Sequence, residues 1–285
     1  MTTLAKLLPD GGLLGFRDVD SVQDPGAYAA FLDQFAASFC EMIATGLDLL
    51  RLEAGASVFD LGCGHGAAFP ALASRVGPAG RVVGLDVSRT LLAAAEKRFG
   101  QSGLPVRFHL GDAHALPFAG GTFEAARADR VLLFLRDPAV ALAELVRVTK
   151  PGGRVVVSEA DLETAAVDAA DAGATRELLA VMADQLPNGR IGRRLRAMFI
   201  DAGLDDVGLR LFPIQSTSFA EWNSRVGAVA ALQRAVSLGR VTESAAAAWS
   251  EDLRNRDAAG RFLATGTFFM VSGTKAMPKD RSPGA

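Results

Sequence analysis

The chain is poor in the residues that build disulfide frameworks and metal sites. Its 285 residues include two cysteines, three histidines and a single tyrosine. Cys40 and Cys63 cannot form a CxxC motif or a disulfide framework, which is consistent with a reducing compartment. His109, Asp112 and His114 are close in sequence, but His109 falls in a predicted strand, so we expect no metal site there.

Net charge and long apolar runs are also scarce. The formal net charge is −2 at pH 7, so we expect no long-range attraction to nucleic acid or anionic lipid. No stretch reaches the roughly 18 apolar residues of a membrane span, and Pro9 to Gly12 interrupt the apolar start before a signal-peptide core accumulates. The sequence therefore predicts a cytoplasmic protein without a membrane span. Its oligomeric state is not readable.

Short apolar runs alternate with helical patterns between Ser57 and Glu159, in a chain that is 49% hydrophobic. The runs SVFDL, GRVVGLDVS, PVRFHLGD, FEAARADR and GRVVVSEAD read as strands. The segments AAFPALASRV, RTLLAAAEKRFG and PAVALAELVRVT read as helices between them. This alternation predicts βαβ units around a parallel sheet.

The flanks differ from this α/β core in pattern. We predict a helical N-terminal lid over 1–56, the core over 57–214, a helical cap over 215–260, the last strand over 261–275 and a disordered tail over 276–285. The cap is inferred because the Ala-rich stretch with Trp222 and Trp249 is too long for a hairpin loop. The basic cluster at Arg190, Arg193, Arg194 and Arg196 is expected to be a solvated helix face.

A glycine loop follows the first strand of the core, in VFDLGCGHGAAF. Glycines at 62, 64 and 66 let a ligand approach the backbone, whose N–H groups at a helix start favour anionic groups. Asp86 ends the next strand, in VVGLDVS, where an acid accepts hydrogen bonds from ribose hydroxyls. Ser88 is the better candidate for the following N-cap. These features fit NAD and S-adenosylmethionine equally, because both carry a ribose.

Two further carboxylates favour a cofactor that bears an amino acid. Asp60 precedes the glycines, where it can meet an ammonium group that the dinucleotide fingerprint does not require. Asp112 and Ala113, in GDAHALPF, follow the third strand, where an adenine amino group needs an acceptor. His65 is expected to pack around the carboxylate of such a cofactor rather than act as a base.

Four motifs in order, VFDLGCGHG, VVGLDVS, GDAHALPF and ELVRVTKPGGRVVVSE, resemble class I S-adenosylmethionine-dependent methyltransferases. Within that class the chain resembles the ubiquinone/menaquinone-biosynthesis and natural-product small-molecule group, from Ser57 to Asp161. The resemblance implies a Rossmann-like, seven-stranded, mostly parallel sheet whose last strand is antiparallel. Helices would cover both faces, with a helical N-terminal lid and a helical cap between the last two strands. It implies transfer of a methyl group from S-adenosylmethionine to O, N or C of a small acceptor, leaving S-adenosylhomocysteine.

The resemblance also implies roles for individual residues. The methionine part of the cofactor is expected at Asp60, Gly62, Cys63, Gly64 and Gly66, the ribose and adenine at Asp86, Val87, Asp112 and Ala113, and the sulfonium beside Ala128, Asp129 and Arg130. Substrate contacts are expected at Phe16, Arg17, Tyr28, Glu159, Phe212 and Trp222.

No catalytic base is assigned, because in-line displacement mainly needs alignment and exclusion of water. Two alternatives stay open. One is an NAD-dependent oxidoreductase on the same half-fold, and the other is a non-methylating member of the fold that uses the cofactor structurally.

Overall fold

The structure is a computed structural model that describes residues 16, 18–21 and 24–278, apart from the side chain of Pro25. Arg17, one of the predicted substrate residues, lies outside the described residues. The same holds for residues 1–15 of the predicted lid and 279–285 of the predicted tail.

Seven strands form one sheet in the order β3-β2-β1-β4-β5-β7-β6. Strands β1 to β5 run parallel to one another, whereas β7 is antiparallel to both β5 and β6. The predicted mostly parallel sheet with an antiparallel last strand is therefore confirmed. The strands are β1 Ser57–Leu61, β2 Arg81–Asp86, β3 Val106–Leu110, β4 Phe123–Asp129, β5 Thr149–Val167, β6 Leu204–Ser216 and β7 Ala264–Lys275.

Most helices of the described residues agree with the predicted segments. The helical N-terminal stretch is divided at Phe39, and the helix Ala172–Asp184 was not predicted. The helices are α1 Pro25–Ser38, α2 Cys40–Leu49, α3 Phe69–Val76, α4 Arg89–Phe99, α5 Pro138–Val148, α6 Ala172–Asp184, α7 Leu195–Asp201, α8 Phe219–Val226, α9 Ala228–Ser237 and α10 Glu243–Ala258.

Local sequence explains where the core elements begin and end. The side chains of β1 are almost all buried, as expected of a central parallel strand covered on both faces. Ser88 caps α4 as predicted, because its hydroxyl accepts the Leu91 N–H at 3.1 Å. Gly77 ends α3 with a φ of +68°, a conformation that favours glycine.

Helices cover both faces of the sheet, and neighbouring residues of β1 show the division. Phe59 belongs to a buried cluster with α5 and α7, whereas Val58 belongs to a second cluster with α2, α3 and α4. Alternate side chains of a strand point to opposite faces, so β1 contributes to both cores. The predicted three-layer α/β class is confirmed.

The segment between β6 and β7 is helical, as predicted, and consists of α8, α9 and α10, which we call the cap helices. They pack against α6 in a third buried cluster around Trp222, Trp249 and Phe262. The indole N–H of Trp249 donates to the Thr175 hydroxyl of α6 at 2.9 Å. The division into lid, core and cap, and the role of the cap in binding substrate, stay predictions.

The strand order creates a crevice at the carboxyl ends of β1 and β4. The chain leaves β1 for β2 and β3 at one edge and then returns to β4 on the other side of β1. Open α/β sheets bind ligands at such a switch point. None of the helices in the described part of the chain is long and apolar enough to cross a bilayer.

Candidate functional site

A cavity of about 930 Å³ lies at this switch point, within the size range of ligand sites. Most residues predicted to bind the cofactor line it, namely Asp60, Gly62, Cys63, Gly64, Asp86, Val87, Asp112, Ala113, Asp129 and Arg130. Gly66 and Ala128 lie behind its wall. Ala128 is buried in the core, and a Cβ on Gly66 would lie 2.8 Å from the ring of Phe99.

The loop between β1 and α3 has a conformation that only glycine adopts easily. Gly62 and Gly64 have φ values of +66° and +54°, in the left-handed region. A Cβ on Gly62 would lie 2.3 Å from Cγ2 of Val131, so this glycine also permits close contact with the loop after β4. The backbone N–H of Gly62 donates to the Leu85 carbonyl at 2.7 Å, which ties the loop to β2.

Asp86 joins the glycine loop to the start of α4. One carboxylate oxygen accepts the Gly64 N–H at 2.8 Å, and the other accepts the Ser88 N–H at 2.9 Å. Burial raises the pKa of this carboxyl, although these bonds oppose the shift. The side chain is buried but faces the cavity, so each oxygen has a lone pair left for a ligand. Ribose binding at Asp86 stays a prediction.

Asp60 and Arg127 form a buried charged pair beneath the cavity. Burial raises the pKa of Asp60 to about 6, although Arg127 opposes the shift. The Nε of Arg127 lies 3.5 Å from Asp60, and its Nη1 is buried without a hydrogen-bond partner. Because this pairing is loose, the Asp60 carboxylate keeps acceptor capacity for a donor in the cavity. Arg127 was not among the predicted site residues, although a charged residue inside the mostly apolar strand β4 is a signal for a buried functional group.

Asp129 and Arg130 form a fork at the end of β4. Nε and Nη2 of Arg130 each lie 3.1 Å from an oxygen of Asp129, and Nη2 of Arg127 approaches the same carboxylate at 3.1 Å. Burial alone would raise the pKa of Asp129, but the two guanidinium groups outweigh it and lower the pKa. Arg130 has a φ of +59°, a strained value for a residue other than glycine.

Two carboxylates attach the N-terminal segment to the cofactor end of the cavity. Asp20 accepts the Ser88 hydroxyl at 2.6 Å and backbone N–H groups of α4, and the Ser88 bond is the main cause that lowers its pKa to about 2. Asp33 lies 2.9 Å from Nε2 of His65 in the glycine loop and accepts Arg98 at 2.9 Å. Sequence reasoning missed both carboxylates.

His65 and Asp112 belong to the cavity wall in different ways. His65 is buried, and its Nδ1 has no hydrogen-bond partner. Asp112 is exposed, and one of its oxygens accepts the His114 N–H at 2.9 Å and lies 2.6 Å from Nδ1 of the same ring. In the part of the chain that the structure describes, no group of His, Cys, Asp and Glu side chains is arranged for a metal ion.

The predicted substrate residues divide into two sets. Phe16 and Trp222 line the cavity, whereas Tyr28, Phe212 and Glu159 do not. Tyr28 packs in a small core beside Phe16, with ring centroids 4.8 Å apart. Phe212 packs against the cluster on the α2–α4 face of the sheet. These three residues are held by the core rather than presented to a substrate.

Glu159 instead supports the loop after β4. Its side chain is fully buried, and one oxygen accepts the backbone N–H groups of Val131 and Leu132 at 2.9 and 2.6 Å. Its other oxygen is buried without a partner. Burial raises the pKa of Glu159 to about 8. Because Val131 packs against Gly62, Glu159 indirectly fixes the wall of the cavity.

The substitution Glu159→Gln is expected to remove a pH-dependent loss of stability. The folded pKa of about 8 exceeds the ordinary value of 4.5, so this carboxyl stabilises the fold fully below pH 4.5 and loses that contribution as the pH rises through 8. The unfolding free energy should fall by about 1.4 kcal/mol per pH unit in this window. Urea unfolding at pH 6 and pH 8 measures the effect.

Glutamine keeps the shape and cannot ionise, so the variant should gain stability over the wild type as the pH rises. Glu53→Gln, at an exposed position before β1, is the matched control and should follow the wild type. An unchanged pH dependence in Glu159→Gln would contradict the prediction.

The basic cluster near α7 is only in part the solvated helix face that was expected, because Arg194 and Arg196 are exposed whereas the other two arginines pair with acids. Arg193 places Nε and Nη2 at 2.6 and 2.7 Å from the carboxylate of Asp161, whose side chain is fully buried. Arg190 pairs with Glu163 and Asp184. Glu163 lies beyond the predicted strand because β5 continues to Val167, and Asp184 belongs to α6, which was not predicted.

The end of the cavity opposite the glycine loop is mainly apolar. It lies between α1, α2, the cap helices and β7. Among the basic residues of the cap helices, Arg225 lines this cavity. Its apolar lining includes Phe35, Phe39, Ile43, Ala160, Ile214, Trp222, Val226, Ala264 and Phe268.

Comparison with known proteins identifies similar sequences and folds. A family model described as "Methyltransferase domain" matches residues 59–157. The chain is 37% identical over 249 residues to an uncharacterized 37.1 kDa protein in transposon TN4556 of Streptomyces fradiae, covering 85% of this chain and 70% of that protein. It is 40% identical over 106 residues to a demethylmenaquinone methyltransferase of Lactococcus lactis, covering 37% of this chain and 42% of that protein.

A solved structure shows the same fold at low sequence identity. The YcgJ protein of Bacillus subtilis superposes with a TM-score of 0.60 and 18% identity, covering 83% of this chain and 98% of that one. The match with the Lactococcus lactis protein covers less than half of either chain.

Proposed function

Because this chain belongs to the class I S-adenosylmethionine-dependent methyltransferases, we propose that it methylates an O, N or C atom of a small organic acceptor by in-line displacement. The observation that carries the proposal is the single cavity that extends from the glycine loop to an apolar end beneath the cap helices. The name of the Lactococcus lactis relative supports an acceptor from quinone-type or secondary metabolism. The N-terminal segment would act as the lid and the cap helices as the substrate cap.

The residues at the glycine loop fit the groups of S-adenosylmethionine. The Asp60 carboxylate faces the cavity and is only loosely paired with Arg127, so it can accept an ammonium group. The buried Nδ1 of His65 is without a partner, as expected for an atom that a polar ligand group satisfies. Asp86 keeps lone pairs for ribose hydroxyls, and Asp112 and Ala113 would contact the adenine edge.

The protein's contribution to this chemistry is mainly positional. When bound, S-adenosylmethionine supplies a methyl group made electrophilic by its sulfonium. Phe35, Phe39 and Trp222 line the opposite end of the cavity, where they would exclude water and align the acceptor. Alignment of this kind is worth about 7–11 kcal/mol in model reactions. A side-chain base is required only when the acceptor atom carries a weakly acidic proton.

Two measurements test the proposal. Calorimetric titration should detect binding of S-adenosylmethionine and S-adenosylhomocysteine but no tight binding of NAD. Incubation with S-adenosylmethionine and candidate quinols or phenols should release S-adenosylhomocysteine and yield a product heavier by one methylene unit. Tight NAD binding without S-adenosylmethionine binding would favour an oxidoreductase. A converted acceptor without S-adenosylhomocysteine release would favour a non-methylating member of the fold.

A further inference from the structure

We propose that the acceptor is an apolar, aromatic or conjugated molecule that binds as an anion, with its ionised oxygen recognised by Arg225. The inference rests on the proposed function, because it names the acceptor class for the same cavity. It follows from an aromatic surface that carries two arginines and from the way in which nearby charges are paired.

Three phenylalanines form the aromatic wall of the acceptor end, which we define as Phe35, Phe39 and Phe268. The ring centroids of Phe35 and Phe39 are 4.1 Å apart, and Phe268 lies 5.8 Å from each of them. All three residues line the cavity. A rigid aromatic surface of this kind offers favourable stacking and edge contacts to a flat, conjugated ligand.

Each ring of the Phe35–Phe39 pair is accompanied by its own guanidinium group. Arg130 lies 3.7 Å from the centroid of the Phe35 ring, and Arg225 lies 5.6 Å from that of Phe39. Both arginines line the cavity. Arginine stacked on an aromatic face keeps its edge donors available for a carboxylate, enolate or phenolate oxygen. The aromatic wall therefore combines an apolar contact with a preference for negative charge.

The two guanidinium groups differ in where their counter-ions lie. Arg130 forms its fork with Asp129, which also lines the cavity, so positive and negative charge face the ligand together. Arg225 pairs through Nη2 with Glu221, which is one turn earlier on α8 and is not part of the cavity lining. Nε and Nη1 of Arg225 have no hydrogen-bond partner among the described residues. Arg225 is thus paired with a carboxylate outside the cavity lining and keeps two donor nitrogens for the acceptor.

An acceptor that binds as an anion is also consistent with the ion pairs that the nearby carboxylates form with arginines. Asp129 is held by Arg127 and Arg130, and Asp161 is held by Arg193. An ionised acceptor has no proton to give up, so neither carboxylate has to act as a base. Its oxygen forms the new bond to the methyl carbon with its own electron pair. The electron pair of the methyl–sulfur bond stays on sulfur, and the negative and positive charges cancel.

The test compares two probes of equal shape that differ in charge, 2-naphthoate and 2-naphthamide. Each is titrated calorimetrically at pH 7 into protein saturated with S-adenosylhomocysteine, so the readout is binding and not turnover. The wild type should bind the anion at least about tenfold more tightly than the amide. Arg225→Gln should remove this preference and leave the affinity for the amide unchanged, whereas Arg225→Lys should retain most of it.

Arg234→Gln is the matched control, because it removes one positive charge from an exposed position of α9 that does not line the cavity. This variant should keep the preference for the anion. Retained affinity for S-adenosylhomocysteine shows that Arg225→Gln is folded.

The proposed function and this inference fail in different ways. A wild-type protein that does not bind S-adenosylhomocysteine contradicts the proposed function. Binding of S-adenosylhomocysteine, together with equal affinity for the two probes, no binding of 2-naphthoate, or a full preference in Arg225→Gln, overturns the role of Arg225 alone.

Discussion

Replacing Gly62 by alanine is expected to lower the affinity for S-adenosylhomocysteine about a hundredfold. The added Cβ would lie 2.3 Å from Cγ2 of Val131, and the residue has a φ of +66°. The glycine loop or the loop after β4 must therefore move, and both contribute to the wall of the cavity. Calorimetric titration of the variant measures the loss.

The matched control for Gly62→Ala is Gly77→Ala. Gly77 has nearly the same φ, +68°, but a Cβ there would meet nothing within 4 Å. The control therefore carries only the backbone cost of its own conformation, φ +68° and ψ −176°, which is about 1–3 kcal/mol, and should keep the wild-type affinity. The double variant Gly62→Ala with Val131→Ala should recover part of the loss, because the clashing methyl groups are gone. An affinity equal to wild type in Gly62→Ala would exclude the close contact as the reason for this glycine.

The substitution Asp86→Ala is expected to weaken binding of S-adenosylhomocysteine at least about tenfold. The carboxylate would no longer accept the ribose hydroxyls, and the N–H groups of Gly64 and Ser88 would lose the acceptor that positions them. A buried donor left without an acceptor costs about 1–3 kcal/mol. Calorimetry at neutral pH gives the change in affinity.

Asp112→Ala provides the comparison for Asp86→Ala. Both carboxylates line the cavity, but the side chain of Asp112 is 68% exposed, so water can replace its contacts at little cost. Its loss should reduce the affinity less than the loss of Asp86. Unchanged affinity in Asp86→Ala would remove this residue from the site.

Local signals in the sequence were sufficient to predict most of the residues that line the cavity beside the glycine loop. These signals are the apolar run of β1, the glycines that follow it and the acid that ends β2. Each of them marks the end of one strand and the start of the loop that follows. Ser88 was identifiable because an N-cap depends on its neighbours alone. Motifs of this kind can be predicted from sequence because they depend on interactions between residues that are near one another in the chain.

Residues with distant partners were not identifiable in the same way. Asp20 and Asp33 appear in the sequence as ordinary acids, and only the folded chain brings them to Ser88 and His65. Glu159 was expected at the substrate because it lies near the carboxyl end of a predicted strand, but β5 continues past it and its side chain is buried in the core. Whether a strand residue lies at the crevice depends on how far its strand extends, and β5 is extended by its pairing with β7.

The missed helix and the missed arginines have different causes. α6 is rich in alanine, and its start is marked in the sequence only by the Asp171 N-cap. An aspartate beside small residues is also typical of a loop. Arg225 belongs to a segment whose helical character was predicted, but its contact with Phe39 depends on how α8 packs over α2 and the core. Tertiary packing, which local pattern does not encode, selected this side chain for the cavity.

The position of β7 has a consequence for the order in which the domain can be completed during synthesis. β6 pairs with no strand but β7 in the described sheet, and β7 also covers the edge of β5. Until residues 264–275 leave the ribosome, the long strand β5 is an open edge and β6 has no place in the sheet. Such an edge can pair with another chain. A nascent chain that stalls within the cap helices should therefore be prone to aggregation, although its glycine loop is already made.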